Sequence, residues 1–203
     1  SNAGALQARD GGYIALLGAR VSNSGTLEAR AGSVNLAAGQ AVTLQLADGS
    51  LAGLTVDQGS LDALAANHGL IRADGGQVLL TAEGADSLAR AVVNHDGVIE
   101  ARTLENRNGV IRLMGDMEVG AVQVDGTLDA SAPTSGNGGF VETSAATVRI
   151  GDDARITTLS ATGVTGTWLI DPRDFLVSAT GGDISGTSLS KELDLTSVVI
   201  QNT

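Results

Sequence analysis

The chain of 203 residues contains no cysteine, which excludes disulfides and thiolate metal sites; this suits a protein exported unfolded through an oxidising compartment, among other classes. Lysine occurs once, at Lys191, and 12 basic residues face 23 acidic ones, a formal net charge of −11. That balance argues against nucleic acid, anionic membrane surfaces and strongly acidic polysaccharides, all of which require a basic face. No apolar run reaches the roughly 20 residues needed to span a bilayer, so direct membrane insertion is not expected. Two Phe, one Tyr and one Trp cannot build an aromatic core. Only two prolines interrupt the chain, against 28 glycines, a ratio suited to many tight turns between strands. Disorder does not follow from the glycine content, because 42% of the residues are hydrophobic and regularly spaced.

What the sequence does contain is a repeat. Its clearest copy is Asn67-His68-Gly69-Leu70-Ile71-Arg72-Ala73, followed by Asp74-Gly75-Gly76-Gln77-Val78-Leu79-Leu80. Asn67-His68-Gly69 offers residues that tolerate positive φ, and Asp74-Gly75-Gly76 offers a second turn. The first half returns at Asn23 to Ala29, Asn94 to Ala101, Asn106 to Leu113 and Asp125 to Ala130; the second half returns at Gly11 to Leu16, Ala31 to Leu36 and Gly138 to Thr143. Each copy alternates with period two, the mark of a strand.

The alternation sorts the faces. Leu27, Ile71, Ile99, Ile111 and Leu128 are expected to face a core, and Glu28, Arg72, Glu100, Arg112 and Asp129 to face water. Ala29, Ala73, Ala101 and Ala130 fill the next inward slot, which points to a narrow interior. Short strands that cannot bury a core alone become stable when successive turns of chain stack, so the pattern predicts an all-β fold, a right-handed parallel β-helix with a projecting hairpin and loop insertions. The 20 residues from Gly12 to Gly32 suggest about twenty residues per coil, hence roughly nine coils and a rod of about 40 Å at ~4.8 Å per strand spacing.

Residues 1–3, Ser-Asn-Ala, read as a tag remnant. Residues 4–162 carry the β-helix repeats, with insertions expected near 40–66, 81–93 and 131–139, and residues 163–203 form a junction and the start of a further β segment. Within the first insertion, Val42 to Leu46 and Leu54 to Val56 flank a turn at Ala47-Asp48-Gly49-Ser50 and read as a hairpin that projects from the rod or caps its side. Gly84 to Ala91 reads as one helical turn, Ser131 to Gly139 as a loop, and Val198 to Asn202 as a strand from which the chain is expected to continue.

Candidate chemistry is sparse. His68 and His95 each follow an Asn and occupy what read as equivalent turns, where other copies carry Ser24 or Arg107; turn residues rather than metal ligands are expected. Asp171 and Asp174 flank Pro172 and Arg173 and have the chemistry of a glycosidase acid pair or of calcium ligands; support of a proline turn by Asp171, with a local pair to Arg173, is the reading adopted. Asp152-Asp153 reads as a turn between strands. Trp168 offers a face for a sugar ring, or a cover for apolar residues at the end of a stack, and the second is preferred. No Gly-x-Ser-x-Gly elbow, phosphate-binding loop or His-Glu-x-x-His sequence occurs. The sequence assigns no catalytic residue, no metal ligand, no cofactor and no identified ligand-binding residue, and an enzyme is not expected.

The stretch Gly166-Thr167-Trp168-Leu169-Ile170-Asp171-Pro172-Arg173-Asp174-Phe175, together with the Asn-x-Gly-x-(Ile/Leu)-x-Ala and Gly-Gly-x-Val-x-Leu repeats, resembles filamentous-haemagglutinin-like exoproteins exported by two-partner secretion. The resemblance covers nearly the whole segment from Gly4 and departs from the family in lacking its amino-terminal signal and secretion domain. It implies a piece of shaft downstream of that domain, secreted to the exterior of a Gram-negative outer membrane. The implied partners are the outer-membrane pore during export, then a host glycan, matrix polysaccharide or host-surface protein. Attachment to host cells, surfaces or biofilm matrix is the implied role; a polysaccharide-active β-helix enzyme and the stalk of a contact-dependent toxin-delivery exoprotein are the alternatives.

Overall fold

The computed structural model describes residues 1–47 and 50–202, and the expected Asp48-Gly49 turn lies outside them. The chain is nearly all β, and its strands form three parallel sheets and one antiparallel hairpin. The first sheet contains β1 (Ala5–Gln7), β4 (Thr26–Glu28), β9 (Leu70–Arg72), β12 (Val98–Glu100), β15 (Thr127–Asp129) and β18 (Arg155–Thr157). The second contains β2 (Tyr13–Gly18), β5 (Ser33–Ala38), β10 (Gln77–Ala82), β13 (Val110–Gly115), β16 (Phe140–Ala145), β19 (Thr167–Pro172) and β20 (Ser197–Ile200). The third contains β3 (Arg20–Asn23), β8 (Asp62–Asn67), β11 (Arg90–His95), β14 (Gly120–Val124) and β17 (Thr147–Ile150).

Up to β19, the chain visits first, second and third sheets in rotation and returns to each sheet one strand further on. Leu6 pairs with Leu27, Leu27 with Ile71, Ile71 with Ile99, Ile99 with Leu128 and Leu128 with Ile156. The advance is therefore 21 residues, then 44, then 28, 29 and 28, against the expected twenty. The second sheet has seven strands where about nine stacked passes are expected from the sequence. The difference lies in the connections: the first advance fits all three sheets into 21 residues, whereas later ones carry the hairpin between β5 and β8, residues 83–89 between β10 and β11, 101–109 between β12 and β13 and 130–139 between β15 and β16.

Two other expectations are corrected by the register. Asn106 to Leu113 is not a first-sheet copy: Ile111 pairs with Val78 and Val141 in the second sheet, and Gly109 is the turn glycine. Residues 84–91 are not helical; a turn at 87–88 leads directly into β11. Among the described residues a single helix forms, α1 (Gly186–Leu193), capped by the Ser185 hydroxyl, which accepts from the Ser188 N–H.

Glycine explains how the passes close up. The carbonyl of Gly32 accepts from Gln77 N–H and that of Gly76 from Val110 N–H, so successive turns stack glycine on glycine. A Cβ on Gly76 would overlap the carbonyl oxygen of Gly32, and one on Gly69 would overlap that of Gly25. Neither Gly69 nor Gly76 has positive φ. The Asn-His-Gly turn therefore needs glycine for close approach rather than for a left-handed backbone; positive φ falls instead on Gly75, and on Ala31 at the matching place one turn earlier.

The core draws on all three sheets. Leu27, Ile71, Ile99, Leu128 and Ile156 form one fully buried row, and Ala29, Ala73, Ala101 and Ala130 another. In the second sheet, Val34, Val78, Ile111, Val141 and Trp168 stack in register. Trp168 thus sits inside the stack, between Val141 and Val198, and not at its end. Asp171 is also part of β19, opposite Ser144, rather than part of a turn.

The hairpin of β6 (Ala41–Ala47) and β7 (Ser50–Gln58) folds back over the outer face of the second sheet instead of projecting freely. Its pairs Val42 with Val56, Leu44 with Leu54 and Leu46 with Leu51 form an apolar ladder, and Val56 lies over Gly39. Beneath it, the outward-facing Asn35 and Ala37 are buried. At the far end, residues 183–195 cover the edges of two sheets: Ile150 N–H donates to Asp183 O, Thr158 N–H to Leu195 O and Ile156 N–H to Glu192 Oε2 at 2.6 Å. Only the second sheet continues past them, into β20. Capping edge donors in this way removes a template for unwanted strand pairing.

Candidate functional site

The residues singled out from the sequence do not come together. Trp168 is fully buried and its indole N–H donates to Thr143 Oγ1 at 3.1 Å, so its ring has no face for a sugar. Asp171 is half-buried within β19, whereas Asp174 is exposed beyond the strand. Asp152 does occupy a turn with Asp153, and its carboxylate accepts from Ser188 Oγ at 2.6 Å and Ser185 Oγ at 2.9 Å. Those two hydrogen bonds hold the Asp152 carboxyl below its usual range, with a smaller contribution from Lys191. Among the described residues no group of three or more His, Cys, Asp or Glu side chains is placed to hold a metal ion.

The two histidines are not equivalent. His68 is exposed, with Nδ1 2.6 Å from Asp96 Oδ1 in the following turn. His95 pairs with Asn67 across β8 and β11, one position earlier than the sequence alignment of the two turns implies, and is fully buried. Asp96, not His95, is the counterpart of His68.

That shift reveals a polar seam inside the third sheet. Asn2 Nδ2 donates to Asn23 Oδ1 and Asn23 Nδ2 to Asn67 Oδ1, both at 2.8 Å. Asn67 Nδ2 lies 3.3 Å from His95 Nδ1, and His95 Nε2 lies 3.0 Å from Thr127 O. Each asparagine is also fixed to its own turn: Nδ2 of Asn2, Asn23 and Asn67 donates to the carbonyl of Gly4, Gly25 and Gly69. Beyond His95 the same inward position is taken by Val124 and Ile150. The recurring asparagine is thus a core hydrogen-bonding residue, a role that its turn-like company in the sequence conceals.

Acid pairing occurs at one place that sequence reading missed. Burial, and then the nearby Asp116 charge, push the Glu83 carboxyl above its usual range. Asp116 itself caps turns, its Oδ1 accepting from Glu118 N–H at 2.7 Å and Val119 N–H at 3.1 Å and its Oδ2 from Gly84 N–H at 3.1 Å. These are the bonds of a structural carboxylate, and neither acid lines the clefts described next.

Two neighbouring clefts lie between the hairpin and the second sheet. One, of about 190 Å³, is bordered by Gly12, Gly32, Ser33, Leu51, Gly76 and Gln77. The other, of about 90 Å³, shares Ser33, Leu51 and Gln77 and adds Asn35, Leu54, Leu79 and Arg112 among its walls. Their charge is already matched: Arg112 Nε donates to Glu142 Oε2 at 3.0 Å, and its guanidinium lies 5.6 Å from the Phe140 ring centre. The walls otherwise offer neutral amides, a hydroxyl and leucine side chains, a surface suited to an uncharged group. No protein-family model matches the chain. A search of curated proteins likewise finds no match.

Proposed function

We propose that this chain is a right-handed parallel β-helix and serves as a structural and adhesive segment of a large, secreted, surface-displayed bacterial exoprotein. The observation that carries the reading is the rotation of the chain through three parallel sheets, each return adding one strand to the same edge. Parallel strand connections are overwhelmingly right-handed, because right-twisted strands pack back onto their sheet only that way. Stacked passes make a rod whose length grows with sequence while its cross-section stays constant, which suits a spacer. The resemblance of Gly166 to Phe175 and of the repeats to haemagglutinin-like exoproteins supplies the secreted and adhesive part of the proposal. The outer-membrane pore would be its partner during export, and a host glycan, matrix polysaccharide or host-surface protein its partner afterwards.

A polysaccharide-active enzyme of the same architecture would need acids converging in a groove. The clefts under the hairpin are lined by no carboxylate, and in the cleft of about 410 Å³ that holds Asp10 and Glu105, Asp10 is paired with Arg30 at 2.8 Å, so the adhesive reading is preferred.

Limited proteolysis tests the architecture. Cutting is expected first near 40–58, 83–89, 105–108 and 131–138, with strands β10, β13 and β16 resistant; early cleavage within those strands contradicts a stacked segment. Binding of the chain to a panel of neutral glycans and host-surface proteins tests the adhesive part. Saturable binding weakened by Gln77→Ala supports the cleft as its seat, and absence of binding leaves a spacer and removes the adhesive role.

A further inference from the structure

We infer that His95 is an acid-responsive latch in the core: neutral, it ties the asparagine seam to Thr127, and a proton on its ring breaks the seam at the corner of residues 95–97. The geometry fixes the neutral tautomer. Thr127 O can only accept, so Nε2 carries the hydrogen and Nδ1 is left as the acceptor for Asn67 Nδ2. A second proton must go to Nδ1, where it would face the hydrogens of Asn67 Nδ2.

Rotating the Asn67 amide does not relieve this conflict. It would turn Nδ2 toward Asn23 Nδ2 and withdraw the donor from Gly69 O. Rotating Asn23 in turn would break its bonds with Gly25 O and Gly25 N–H and pass the mismatch to Asn2. Every amide in the seam points the same way, so one proton at its end opposes all of them. A buried network with one unmatched member costs more than an apolar contact in the same place.

The groups around the ring agree with this assignment. Burial lowers the His95 pKa from its ordinary value; hydrogen bonding with the backbone of Thr127 and of Asn67 and the Asp96 charge act the other way, and His68 adds to the lowering. Asp125, in the next turn along the third sheet, touches His95 through its backbone, its N–H donating to His95 O. The sign follows. Because the folded pKa lies below the unfolded value of about 6.5, the neutral latch contributes its full stability above pH ~6.5, and this is lost as pH falls through the folded pKa. Glu83 and Glu192, whose carboxyls burial raises, act in the opposite direction on acidification. The test must therefore be made by difference.

Urea unfolding of the native chain and of His95→Asn at pH 7.5 and 5.0 provides that difference. Asparagine at 95 can accept from Asn67 as Asn67 accepts from Asn23, without a titrating ring. In the native chain the histidine's share of the folded-to-unfolded ratio is expected to fall by up to tenfold per pH unit below 6.5 until the folded pKa is reached; His95→Asn lacks that share. A parallel NMR titration, with resonances assigned through His68→Asn, should find His95 as the Nε2–H tautomer with a midpoint below 6.5. Equal pH dependence in the two proteins, or a native His95 midpoint at or above 6.5, would overturn the latch. If His95→Asn does not fold, the native titration decides alone.

Discussion

Gly76→Ala is expected to cost about 3 kcal/mol or more, a large loss for the addition of a single methyl group. The new Cβ would overlap the Gly32 carbonyl oxygen, which already accepts from Gln77 N–H. Both atoms that must give way are backbone in a stacked pair of turns, so relief requires displacing one pass against the next. The same change at Gly186 provides the contrast. No atom lies within 4 Å of the added Cβ there, φ is not left-handed, and the residue opens α1. Gly186→Ala is therefore expected to be neutral or stabilising by up to about 1 kcal/mol. Urea unfolding of the two variants side by side separates a steric requirement for glycine from a general preference for it; similar small effects at both positions would refute the glycine column.

Trp168→Ala is expected to cost about 3–5 kcal/mol, through lost burial and the cavity left between Val141 and Val198. Trp168→Phe keeps most of the volume but deprives Thr143 Oγ1 of the indole donor, a loss of about 1 kcal/mol. Leu88→Ala, at a leucine 89% exposed, should stay within about 0.5 kcal/mol of the native chain. Circular dichroism is the suitable probe, because Trp168 is the sole tryptophan and its variants lose the fluorescence signal. A Trp168→Ala protein as stable as the native one would mean that the ring lies at the surface, where a sugar could reach it.

The contrast between these residues explains what the sequence made legible. First-sheet rows are readable because Leu27, Ile71, Ile99 and Leu128 each precede a charged residue, of either sign, and then an alanine. Period-two alternation carries face information directly. The third sheet was hidden because its inward residues vary from Val21 to Ala65 to Val93, and because its strands follow connections of unequal length. The place of Ile111 is obscured for a related reason: Asn108-Gly109 imitates the first turn, while hydrogen bonding places Gly109 in the second column, where it accepts from Phe140 N–H. The seam was harder still to read. Aligning Asn94 with Asn67 seems natural by residue type, yet the ladder aligns His95 with Asn67. A cavity between a hairpin and a sheet has no sequence signature at all, because its walls come from Ser33, Leu51 and Gln77 in three separate strands.

The stacking itself can be measured as a distance. The chain has no cysteine, so single cysteines placed at Gln7 and at one of Glu28, Arg72, Glu100 or Asp129 take spin labels without background. These positions occupy one outward row of the first sheet, on β1, β4, β9, β12 and β15. The label separation from position 7 should grow in equal steps of about 4.8 Å along the series, although the intervening chain lengthens by 44 residues at one step and by 28 or 29 at the next two. Distances that follow the sequence interval, or that do not rise in this order, would contradict the stacked parallel architecture on which the proposed function rests.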